Sequence, residues 1–86
     1  MTKREQLDDL PVNTEGVLFT DGFDEALLGI GEQFNKSVAV YDWYKCIKIL
    51  MKRDGMSLEE AVEYFDYNVT GAYVGEQTPV FLHTME

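Results

Sequence analysis

From residue 42 onward the apolar positions recur with the period of a helix. Trp43, Cys46, Ile47, Leu50 and Met51 stand at i, i+3, i+4, i+7 and i+8, a stripe that predicts an amphipathic helix over 42–54. Asp42 precedes it, and a carboxylate there can accept from an orphan amide of the first turn. Lys52 and Arg53 fall in the last turn, where positive charge suits the helix dipole, and Gly55 supplies a left-handed stop. A second stripe follows in Leu58, Ala61, Val62, Phe65 and Val69. Ser57 with Glu60 three residues on forms a capping box, and Gly71 is the expected terminator. The link Gly55-Met56 is too short for anything but an αα-hairpin.

The first forty residues follow a different period. "GVLFT" at 16–20 is a short strand candidate, ended by the Asp21-Gly22 turn signal. In "DEALLGIGEQF", Ala26, Leu28 and Ile30 alternate onto one side, with Leu27, Gly29 and Gly31 on the other. Two glycines at that spacing would weaken a helix by about 1 kcal/mol each relative to alanine. In a strand they mark a bulge or a close backbone approach, so a strand is expected. A turn at Asn35-Lys36 leads into a third strand, "SVAVY", completing a hairpin. After the helices, "GAYVGEQT" reads as loop or a short extended piece, and "PVFLHT" as a last strand with Pro79 at its start. Residues 1–14 are polar and read as a mobile N-terminal arm, in which Leu7 and Leu10 could pin a short helix. The expectation is a single α+β domain over 15–86 in the order β-β-β-α-α-β. An αα-hairpin packs on one face of a small, mainly antiparallel sheet.

Composition narrows the function. Eighty-six residues make one domain near the lower size limit for independent folding. An aromatic share of 13% argues against disorder throughout. The net charge of −9 repels nucleic acid and anionic membrane surfaces, so neither is an expected partner and a basic protein fits better. Cys46 and His83 are the only cysteine and the only histidine, too few for a zinc site of the usual composition or an intramolecular disulfide. No metal or cofactor is expected. The opening residues lack the apolar run of a secretory signal, and no stretch approaches a membrane span, which points to the cytoplasm.

Charge is uneven along the chain. Residues 42–55 carry four bases against two acids, net +2, whereas 57–70 carry four acids and no base, net −4. Residues 1–41 hold eight acids against three bases, net −5. At about 100° per residue, with Phe65 at zero, the apolar stripe of the second helix covers roughly −40° to +60°. Glu59, Glu60, Glu63 and Asp66 fall between about 100° and 220° on the same wheel. A solvated face is the plain expectation for them. A metal would need oxygen ligands converging from several elements, and acid–base work would need a desolvated carboxyl; a wet face offers neither.

Other candidates carry less. "GIG" at 29–31 lacks the further glycine, lysine and helix start of a phosphate loop. Cys46 sits on an apolar stripe, so a buried structural thiol is expected. "NVT" at 68–70 matches a glycosylation acceptor but lacks the secretory context. The aromatics Tyr41, Trp43, Tyr44, Tyr64, Tyr67 and Tyr73 gather around the hairpin, and Tyr44 and Tyr67 fall off its apolar stripes. Tyrosine couples contact area to a hydrogen-bonding tip, which suits interface hot spots. A partner-binding surface is therefore expected at Tyr44, Glu59, Glu63, Asp66 and Tyr67.

The strings "DGFDEALLGIG", "AVYD" and "ILMKRDGMSLEEAVEYFDYNVTGAYVGEQTPVF" resemble a group of small acidic uncharacterised proteins of tailed phages and bacteria. The likeness spans about residues 21–81 and brings no activity with it, so no catalytic residue carries over. It implies a small accessory protein working in the cytoplasm of a bacterial host cell. The function expected is a non-enzymatic interaction protein that binds and modulates a host or phage protein; open strand edges would also allow a homodimer. Two alternatives stand beside it. One is a binder of a nucleotide or metabolite, with Gly29 and Gly31 letting backbone approach the ligand. The other is a nucleic-acid mimic inhibiting a DNA-binding enzyme.

Overall fold

The computed structural model describes Gln6 and residues 14–34, 36–71 and 75–85. A 3-10 turn at Asp24–Ala26 leads into β1 (Leu27–Gln33) and β2 (Lys36–Asp42). Helices α1 (Trp43–Asp54) and α2 (Leu58–Phe65) follow, then a π-helical turn at Asp66–Thr70 and β3 (Val80–Leu82). The sheet order is β1-β2-β3, and the helices pack on one face of it, an α+β arrangement. The expected arm at 1–14 lies, but for Gln6 and Thr14, outside the described residues, as do Asn35 of the expected turn and Tyr73.

Strands β1 and β2 pair antiparallel from Leu27↔Tyr41 to Gln33↔Lys36, with a register slip between Leu27 and Gly29. The two glycines do separate things here. Gly29 takes φ +154 at the slip, where a side chain would meet open space but a strained backbone. Gly31, which pairs with Val38, keeps room for the diagonal neighbour Val40, since a Cβ there would stand 3.0 Å from the Val40 side chain. Phe34 turns the hairpin with φ 57 and is 98% exposed.

The sheet departs from expectation at both ends. Residues 16–20 form no strand: the Thr20 amide donates to the Tyr41 hydroxyl at 2.9 Å, so a side chain takes the place of a ladder partner. Val17 and Phe19 still pack against the core, which is why the segment carries a strand-like pattern. Strand β3 pairs with β2 in parallel, as Val40↔Val80, Tyr41↔Phe81 and Asp42↔Leu82. Parallel neighbours need a long crossover, and the helical hairpin supplies it.

Both helices end and begin as their caps dictate. Asp42 Oδ1 accepts from the Lys45 amide at 3.3 Å, and Gly55 closes α1 in the left-handed region at φ 68. Ser57 Oγ accepts from the Glu60 amide at 3.2 Å while Glu60 Oε1 accepts from the Ser57 amide at 3.1 Å. Removing the hydroxyl half of that reciprocal pair with Ser57→Ala, which keeps the amide that Glu60 accepts from, should cost about 1 kcal/mol, read as a lower urea midpoint with an unchanged slope.

The stripes bury Cys46, Ile47 and Leu50 on α1 and Ala61 and Phe65 on α2. Leu58 is an exception at 58% exposed, while Met56 of the link packs against the core. Met51 likewise sits at the wet margin of its stripe. After Phe65 the helix widens: the Gly71 amide reaches back five residues to the Asp66 carbonyl at 3.0 Å. A Cβ on Gly71 would stand 2.9 Å from that same oxygen, so the wide turn requires glycine. The core is organised by rings. Phe65 meets Phe23 edge-on at 5.5 Å and Phe81 edge-on at 5.0 Å, and Phe81 stacks on Tyr41 at 5.6 Å.

Candidate functional site

Burying Ala61 and Phe65 turns the opposite side of α2 to water, and Glu59, Glu60, Glu63 and Asp66 are all exposed there. Beside them Tyr67 is 85% exposed and Tyr64 44%. Between the α1–α2 link and this face lies a groove of about 330 Å³, lined by Met56, Glu60, Glu63, Tyr64, Tyr67 and Asn68. Two local devices hold its walls. The capping box fixes the Glu60 side chain, and Asn68 Nδ2 donates to the Tyr64 carbonyl at 3.0 Å across one helical turn. Hydrogen bonds from the Ser57 amide and then with its side chain hold the Glu60 pKa below the ordinary carboxylate value.

Of the five residues expected at a partner surface, Glu63 and Tyr67 line this groove, and Glu59 and Asp66 flank it on the same exposed helix and turn. Tyr44 belongs to another patch, on the first turn of α1. There its ring packs edge-on to Trp43 at 5.1 Å, and His83 stacks on Trp43 at 4.4 Å. Met56, Glu60, Tyr64 and Asn68 complete the groove without having been singled out as binding residues. Tyr64 was within reach of the helical wheel, where it falls at about 260°, next to Glu60. Met56 precedes the helix and has no periodicity to mark it.

Two further cavities are described. One of about 610 Å³ is lined by Gly22, Asp24, Glu25, Ile49, Lys52 and Arg53. Arg53 spans its rim, donating from Nη1 to the Gly22 carbonyl at 3.1 Å and pairing with Asp54 at 3.2 Å. Its guanidinium also lies 5.3 Å from the Phe23 ring centroid. The Asp24 Oδ1 atom is buried and has no hydrogen-bond partner among the described residues. With both signs of charge on its walls, the cavity has no uniform field to select an ion. The other, about 210 Å³, separates Leu18, Phe19 and Thr20 from Val69 and Phe81. Gly29 and Gly31, the expected ligand-approach positions, line none of the three cavities.

Cys46 is fully buried, and burial, with the nearby Asp42 charge, pushes its thiol up to about 12. A thiol so protonated at neutral pH is no nucleophile. Among the described residues no three His, Cys, Asp or Glu side chains are grouped to hold a metal ion. No described helix is long and apolar enough to cross a membrane. No family model, curated protein or solved structure matches the chain.

Proposed function

We propose that this chain is a small, acidic, non-enzymatic interaction protein that binds a basic surface on a protein partner through the outer face of α2. The observation that carries this is the exposure of Glu59, Glu60, Glu63 and Asp66 together with Tyr64 and Tyr67 on one side of a helix. Carboxylates steer a positively charged partner and set register, while the tyrosines offer contact area with a polar tip. The net charge of −9 favours such encounters and disfavours direct contact with nucleic acid or anionic lipid. The likeness to small acidic proteins of tailed phages and bacteria supports a setting in the bacterial cytoplasm, with a host or phage protein as the target to be modulated.

Capture from bacterial lysate, followed by binding with the purified partner, tests this. The wild-type chain should enrich a protein that the Glu59→Lys/Glu63→Lys/Asp66→Lys variant fails to retain. The purified pair should bind at least about tenfold more weakly when the charges are reversed, most of the change appearing at low salt. A partner held equally by the wild type and the reversed chain would refute the assignment.

A further inference from the structure

We infer that the groove beside α2 is an arginine-binding site, admitting the guanidinium of a basic partner segment between Tyr64, Tyr67 and the carboxylates of Glu60 and Glu63. This rests on the partner surface proposed above and specifies what that surface reads. Charge complementarity commits the occupant to a cation: both ionisable groups lining the groove, apart from the tyrosines, are carboxylates. No ion pair among the described residues reaches either of them. The stretch from 57 to 70 holds no base of its own.

The tyrosine rings beside the carboxylates favour guanidinium over ammonium, and two further features favour a long cationic side chain in general. Arginine is planar and weakly hydrated, so it stacks on a tyrosine ring while its fork donates to a carboxylate; lysine presents a compact, strongly hydrated charge that does neither as well. Met56 offers the arginine stem an apolar, polarisable wall, being half-buried against the core with its side chain at the groove. The cap holds Glu60 by one oxygen, Oε1, so the carboxylate is already oriented before a partner arrives. The chain's own Arg53 is not the occupant. Its guanidinium is held by Asp54 and the Gly22 carbonyl and lines the other cavity.

Titration of ¹⁵N-labelled protein with acetyl-Gly-Arg-Gly-amide, its lysine counterpart and its citrulline counterpart, at low salt, tests the assignment. The arginine peptide should shift the amides of Met56, Glu60, Glu63, Tyr64 and Tyr67 and bind about threefold more tightly than the lysine peptide. Citrulline, of the same shape without the charge, should leave them unmoved. Tyr64→Ala should erase the preference for arginine, while Tyr64→Phe, which keeps the ring, should preserve it. Equal binding of arginine and lysine, or a preference that survives Tyr64→Ala, would overturn the arginine site while leaving a surface that reads charge alone. Binding of neither cationic peptide would also overturn it. The charge-reversed capture experiment judges the wider surface separately.

Discussion

Phe65→Ala should remove a large part of the protein's stability at 25 °C in water. The ring is fully buried and touches two others edge-on, Phe23 from the turn before β1 and Phe81 from β3. Deleting a buried phenylalanine costs about 3–5 kcal/mol, since the space it leaves cannot collapse completely. A chain of this size has only about 4–13 kcal/mol to lose, at roughly 0.05–0.15 kcal/mol per residue. Urea titration followed by circular dichroism would show the midpoint falling well below that of the wild type. Tyr67→Ala, the same truncation two residues on, should move that midpoint by no more than about 0.5 kcal/mol because its ring already stands in water. If the two substitutions cost the same, the inward and outward faces of this segment have been assigned wrongly.

Cys46 should be nearly inert to thiol reagents in the folded protein and react at the ordinary rate once urea unfolds it. With its thiol raised from 9.0 to about 12, the thiolate fraction at pH 8 falls. That alone slows labelling by about a thousandfold, and burial adds to it. The same shift fixes a pH dependence. A folded-state value above the unfolded one means the native thiol holds its proton while the unfolded one releases it. This contribution to stability is fully present below about pH 9 and is lost as the pH rises toward about 12. Cys46→Ala is the control: it should flatten the alkaline loss of stability measured by urea titration at pH 8 and pH 10.5. Fast labelling in buffer without urea would mean that α1 does not seal this position.

The helices were legible because everything that defines them is local. Asp42 and Gly55 bracket the first, Ser57 and Glu60 open the second, and each signal lies within four residues of the end it specifies. The two strand glycines were readable only as a bulge or a close approach; the pairing decides that the register slips at Gly29 and that Gly31 makes room for Val40. What escaped depends on distant partners. Val17 and Phe19 advertise a buried side, but whether a backbone ladder forms there is decided by the Tyr41 hydroxyl, twenty-one residues away from Thr20. The direction of β3 is a property of the crossover and leaves no trace in "PVFL" itself. The groove was half legible: the wheel placed Glu63 and Tyr67 outward, but Met56 became a wall only through the packing of the link. Tyr44 shared the chemistry of the site without sharing its place.

Joining Val40 to Val80 ties off a ring of chain forty residues around. Closing a flexible loop of that length carries an entropic penalty of about 3 kcal/mol. Three register pairs of a short edge strand cannot meet that by their hydrogen bonds with much to spare, at about 1 kcal/mol net for each bond. The wedge of Phe81 between Tyr41 and Phe65 must supply the rest, so the last strand is fastened less by its backbone than by one aromatic side chain.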